Sequence, residues 1–317
     1  NEYSLLYIMN INHKYIVLEM RIYMKHYLMK ISYDGSTFNG WQRLKSNPDT
    51  VQQIIEDILG THICGSGRTD AGVHAMCQYA DFYYNNIIDF SKFITRINAK
   101  LPDSIRVISL SEVCHNFHSR KDASSKTYSY YISLNNKCDV FSRKYTYNLT
   151  DTPIFYKFDY KNCTDTIDSN DINSTNHIAD IDLNKMEKAA GYLCGTHDFS
   201  AFTSDKSKDK SHIRTIYEIK TQLINTDKCA GNSHTQTPFF IDNGLILKIS
   251  VTGNGFLYNM VRIIAGTLIY CGLSRINADE LPAIIEKGIR KNAGPTLPSN
   301  ALFLENIIYK SNSYKLI

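Results

Sequence analysis

"MKHYLMKISYDGSTFNGWQR", residues 24–43, begins with β-prone residues and breaks at an Asp34-Gly35 step, which predicts a strand ending in a turn. Downstream, "TVQQIIEDILG" (50–60) has Thr50 in a capping position, apolar residues at 51, 54, 55, 58 and 59, and a closing Gly60. That spacing predicts a helix. "MCQYADFYY" (76–84) alternates as a strand does, "DFSKFITRINAKLP" (89–102) reads as a second helix stopped by Pro102, and "DSIRVISLSEV" (103–113) as a strand. The order β-α-β-α-β points to an open sheet with helices on one face.

A second set follows. "TYSYYISL" (127–134), "IRTIYEIKTQLI" (213–224) and "GLILKISVTG" (244–253) read as strands. "DLNKMEKAAGYLCG" (182–195), "GFLYNMVRIIAGTLIYCG" (255–272) and "NADELPAIIEKGIR" (277–290) read as helices. The expected organisation is an N-terminal extension over 1–20, an α+β half over 21–120 and a second α+β half over 121–317. No residue-level repeat relates the halves. Three polar stretches, near 161–180, 204–212 and 225–237, have the composition of inserted surface loops.

At 317 residues, with 43% hydrophobic and 21% charged residues, the chain has material for a sizeable core. A net charge of +4 permits an acidic partner without demanding one. The 8 cysteines stand singly, without a C-x-x-C pair or a Cys/His set of metal-ligand spacing, so no metal is expected. They read as reduced thiols of an intracellular protein, with the cytoplasm as the default location and nucleus or organelle left open. The most apolar run, 256–273, carries Asn259 and Arg262 and does not read as a membrane span.

The candidate chemistry centres on "GSGRTDAGVHA" (65–75). Its glycines miss the dinucleotide spacing, no Gly-Lys-Ser/Thr is present, and an acid at the centre repels phosphate. Nucleotide cofactors are therefore not expected. Two readings of Asp70 stand at this point. It is a turn aspartate accepting backbone N–H bonds, or an acid mounted on a bend that Gly65 and Gly67 permit, with Arg68 and His74 at hand to hold it ionised or to contact an anionic substrate. Arg262 is the sole charge in the expected helix 255–272. It either pairs with a carboxylate, Asp70 being one candidate, or carries its head to water along an apolar stem. "FHSR" (117–120) and "KTYSYY" (126–131) interleave basic and aromatic residues, which suits packing and also RNA.

Taken together, "DGSTFNGWQR" (34–43), "GRTDAGVHA" (67–75), "FHSR" (117–120), "KTYSYYI" (126–132), "GTHDFSAF" (195–202), "NGFLYNMVRIIAG" (254–266) and "AGPTLPSNALFL" (293–304) resemble the tRNA pseudouridine synthases of the TruA family, in order and over nearly the whole chain from about residue 24. The resemblance implies two α+β halves, each a mainly antiparallel sheet with helices on one face, and a catalytic cleft between them. It implies Asp70 as nucleophile, Tyr128 stacking on the target base, Arg262 paired with Asp70, and Arg68 assisting in flipping the uridine out. Arg43, His74, His118 and Arg120 become candidate RNA contacts. The implied substrates are uridines at positions 38, 39 and/or 40 of the tRNA anticodon arm, the implied state is a homodimer, and no cofactor is called for. One departure is Ala301, where the family tends to carry glycine. Two other readings compete: a catalytically silent RNA-binding module on the same scaffold, and a metal-independent hydrolase using Asp70 as general base.

Overall fold

A computed structural model describes residues 24–46, 48–85, 87–134, 140–149, 181–205, 207, 209–225 and 245–310. The expected extension over 1–20 and the stretches 161–180 and 226–237 lie outside the described residues. The chain forms two compact units. One gathers the described residues up to Ala71, Ala75–Ser124 and those from Asn306 on; the other gathers Gly72–His74 and Ser125–Glu305.

In the first unit the sheet is built from β1 (Lys25–Tyr33), β2 (Ile63–Gly65), β3 (His74–Tyr84) and β4 (Ile105–Glu112), in the order β4-β1-β3-β2. Every pairing in it is antiparallel. Helix α1 (Val51–Leu59) is capped by the Thr50 side chain, which accepts from Gln53 N, and closed by Gly60 in the left-handed region at φ 69°. Its Val51 and Ile55 are fully buried, as are Met29 and Ile31 of β1 and Ile63 of β2, the strand on which the helix packs. Helix α2 (Phe90–Asn98) is capped by Asp89 and buries Phe93 and Ile97. Both helices thus follow the expected spacing, because their caps and their apolar faces are local signals.

In the second unit β5 (Ala123–Ser133), β9 (Leu245–Gly253), β8 (Ile213–Asn225) and β7 (Gly195–Asp198) pair antiparallel in that order, and β6 (Tyr147–Asn148) runs parallel to β5. Helix α3 (Leu183–Leu193), capped by Asp182, packs on α4 (Met260–Gly272) and on β8. Tyr130, Ile132, Ile249, Val251, Ile263 and Ile264 are fully buried there. The last strand, β10 (Leu302–Tyr309), starts in the second unit and ends in the first. The architecture is α+β with a mixed, mainly antiparallel sheet. No helix among the described residues is long and apolar enough to cross a membrane.

Two helices are shorter than their apolar patterns suggest. The expected helix 255–272 starts only at Met260, because Asn254 is held against β8. Its N–H donates to Thr215 O at 3.0 Å and its Oδ1 accepts from Thr215 N at 3.0 Å. The expected helix 277–290 is a 3-10 turn followed by α5 (Leu281–Lys287), ended by Gly288 in the left-handed region at φ 62°.

The first unit's core should be sensitive at its helix. Ile55→Ala should cost about 2–5 kcal/mol of unfolding free energy and Thr50→Ala about 1 kcal/mol, read from urea unfolding. An Ile55→Ala protein within about 0.5 kcal/mol of the parent would contradict this packing.

Candidate active site

The loop after β2 is bent by sequence and clamped by its neighbours. Gln78, fully buried on β3, reaches back to the loop: its Nε2 donates to Gly67 O at 2.8 Å and its Oε1 accepts from Gly67 N. Ser66 N and Oγ both donate to Tyr79 O, at 2.8 and 2.9 Å, and the Ser66 hydroxyl also meets the Tyr309 hydroxyl. Thr69 O accepts from Trp41 N at 3.0 Å, and its Oγ1 shares a 2.7 Å hydrogen bond with the buried Tyr33 hydroxyl. Burial pushes the Tyr33 phenol above its ordinary pKa, against the opposing bonds to Thr69 and Gln78, so it remains a neutral dipole.

Residues 66, 67 and 69 are therefore fixed just before Asp70, which is half-buried, while Arg68 between them is exposed. The glycines serve differently from the expectation. Gly65 and Gly67 are not in the left-handed region; Gly65 is needed because a Cβ there would stand 2.4 Å from the Trp41 indole nitrogen. Gly40, at φ 91°, lets its backbone pass Thr69, where a Cβ would stand 2.6 Å from the carbonyl oxygen.

The "FHSR" segment alternates inward and outward. Phe117 is buried against the Tyr309 ring, and Ser119 is fully buried, donating from N to Asp81 Oδ1 at 2.8 Å and from Oγ to Cys64 O at 2.5 Å. His118 is half-buried and Arg120 exposed. Asp81 Oδ2 meets Nε2 of the buried His26 at 3.0 Å, and His26 Nδ1 faces Cys114 O at 3.0 Å. Burial raises the Asp81 carboxyl, but the bonds from His26 and Ser119 outweigh it and hold the group below its ordinary value. Arg43, half of whose side chain is exposed, donates to the buried Glu56 carboxylate at 3.0 Å.

In the second unit Tyr128, on β5 opposite Val251, is 7% exposed and meets Phe256 edge-on at 5.3 Å. Arg262 is half-buried on the first turn of α4. Its Nε donates to Leu297 O at 2.5 Å and its Nη1 to Asn259 Oδ1 at 2.6 Å, which aims the guanidinium. His74 is 1% exposed, stacked on Phe303 at 4.5 Å, and its Nε2 meets Asn300 O at 2.9 Å. The neighbouring Ala301 is fully buried in a turn without positive φ, so the backbone there does not require glycine. Asp70, Arg68, Arg43, His118 and Arg120 thus belong to the first unit, and Tyr128, Arg262 and His74 to the second. The clamping residues Gln78 and Tyr33 escaped the sequence reading, since a polar residue in a strand looks like a surface residue until its depth is known, and Ser119 escaped it because its partners Asp81 and Cys64 are distant in sequence.

The sequence also compares closely with known proteins. Residues 29–120 and 189–310 match a family described as tRNA pseudouridine synthase. The tRNA pseudouridine synthase A of Acetivibrio thermocellus is 35% identical over 291 residues, covering 90% of this chain and 100% of that protein. Its namesake in Clostridium acetobutylicum is 35% identical over 292 residues with the same coverages. That of Thermoanaerobacter pseudethanolicus is 34% identical over 293 residues, again covering 90% and 100%.

The depressed Asp81 carboxyl fixes the sign of a pH effect. Its contribution is complete above the ordinary value of about 3.9 and is lost as pH falls through the lower folded value. Asp81→Asn should cost about 3 kcal/mol at neutral pH. The gap to the parent should then shrink below about pH 4, measured by urea unfolding across pH. A gap independent of pH would refute the assignment.

Proposed function

The chain belongs to the family of tRNA pseudouridine synthases, and from that premise we propose that it isomerises uridine to pseudouridine on the 3′ side of the tRNA anticodon arm with Asp70 as nucleophile. The observation that carries this reading is the loop itself. "GRTDAGVHA" is held by Gln78, Tyr33 and Trp41 at the residues just before a half-buried acid. A group poised on a fixed backbone beside solvent suits attack on a substrate better than closing a turn.

The reaction conserves every atom. The bond from the ribose C1′ to N1 breaks, the base turns over, C1′ bonds to C5, and the proton lost from C5 is balanced by one gained at N1. No electrons are exchanged with another reactant. An ionised carboxylate forms a covalent intermediate or stabilises positive charge at the sugar. In this proposal Arg262 pairs with Asp70 and favours its charged form, and the hydrogen bonds to Leu297 and Asn259 that aim Arg262 support that role. Tyr128 stacks on the target base. Arg68, exposed beside the acid, helps to extrude the nucleotide, which costs a few kcal/mol of stacking. Arg43, His118 and Arg120 contact RNA, while the burial of His74 favours a positioning role for it. A homodimeric state and a cytoplasmic location belong to the same proposal; light scattering reads the first.

The test is tRNA carrying tritium at C5 of uridine. The parent protein should release tritium to water, and Asp70→Ala should lower the rate by at least about 10⁴-fold while tRNA binding persists. Release by both would clear Asp70 of the role. Release by neither, with binding intact, would favour the silent RNA-binding module.

A further inference from the structure

The sheet of the first unit gathers donor atoms that no sequence spacing announces. β2 sets Cys64 directly opposite Asp81 on β3, so both side chains rise from one face. His26 on β1 lies opposite Tyr83, two residues along β3 from Asp81, and therefore shares that face. The segment after β4 brings His118 over the pair, with its Nδ1 at 3.7 Å from Cys64 Sγ. Donor atoms of Cys64, Asp81 and His118 all lie within 4.8 Å of one another. A tetrahedral zinc with bonds of about 2.3 Å to sulfur and 2.0–2.1 Å to nitrogen sets those two atoms roughly 3.6 Å apart. The sulfur and nitrogen already stand near that edge length, and a carboxylate oxygen of Asp81 lies within 4.8 Å of both.

We propose that Cys64, Asp81 and His118 form a zinc site, completed by a water as fourth ligand. One thiolate, one imidazole and one carboxylate form a borderline-soft set of the kind zinc takes, and the two anionic ligands balance the charge of the cation. A surrounding set of bonds orients them. His26 and Ser119 N hold the two oxygens of Asp81, and Ser119 Oγ donates to Cys64 O. Arg120 N donates to His118 Nδ1 at 3.3 Å, a long bond to the lone pair that a zinc ion would take over. Zinc binding displaces the thiol proton to solvent as the Zn–S bond forms. The ion would staple β2, β3 and the 117–120 segment immediately ahead of the loop that carries Asp70. The proposal stands independently of the proposed activity.

The experiment uses the full chain stripped with a chelator and titrated with cobalt(II) or zinc alone. The parent should bind one cobalt per chain with a near-ultraviolet thiolate charge-transfer band, and zinc should raise its Tm. Cys64→Ser should abolish the band, and both it and His118→Gln should weaken binding by more than about tenfold and remove the zinc-dependent rise in Tm. Cys114→Ser, an exposed thiol of the same unit, should leave all readouts unchanged. Circular dichroism checks folding, and should Cys64→Ser not fold, His118→Gln decides. A parent without the band, or a band that persists in Cys64→Ser, would overturn the site.

Discussion

One buried amide governs the geometry of the candidate catalytic loop. Gln78 bonds both the N–H and the carbonyl of Gly67, and it does so from a strand whose register is fixed on both sides by β1 and β2. A bend of this kind would ordinarily satisfy its backbone with water and move with it. Here protein groups satisfy the backbone at Ser66, Gly67 and Thr69, so the loop inherits the rigidity of the sheet. Removing such a partner leaves a buried donor and acceptor unmatched, at about 1–3 kcal/mol each. Positioning of Asp70 thus depends on a residue eight positions further along the chain.

The second unit uses a different device for Arg262. An arginine on an apolar helix needs partners that fix its plane, and the carbonyl of Leu297 with the amide oxygen of Asn259 provide them. The segment that carries Leu297 is itself tied to α4, where Gly294 N donates to the buried Thr267 hydroxyl at 2.9 Å, and to β5, where Tyr130 donates to Pro298 O at 2.8 Å. The motifs around residues 254–266 and 293–304 therefore form one local structure, although some thirty residues separate them.

Much of this was legible in the sequence where the causes are local. Thr50, Gly60, Asp89 and Asp182 mark helix ends through their own caps, and the alternation in 76–84 gave a strand at once. Reading failed where distant partners decide. The start of α4 depends on Asn254 meeting Thr215, and β10 is an apolar run that periodicity alone does not assign. At the site, the residue types of "GRTDAGVHA" announced an acid on a bend, but the reason for Gly65 is the Trp41 ring and not a backbone angle. Cys64, Asp81 and His118 stayed invisible because the sheet, not the spacing, assembles them.

The proposed role of the Asp70 carboxylate is isomerisation rather than structure or binding. The most direct measurement incubates unmodified tRNA with the parent protein and with Asp70→Asn, which keeps shape and removes charge. The tRNA is then digested and its nucleosides resolved by mass and retention, with tRNA affinity measured in parallel. The parent should form a new nucleoside of uridine's mass and Asp70→Asn none, with comparable affinities. Formation of that isomer by Asp70→Asn, or release of free uracil by the parent, would contradict that role.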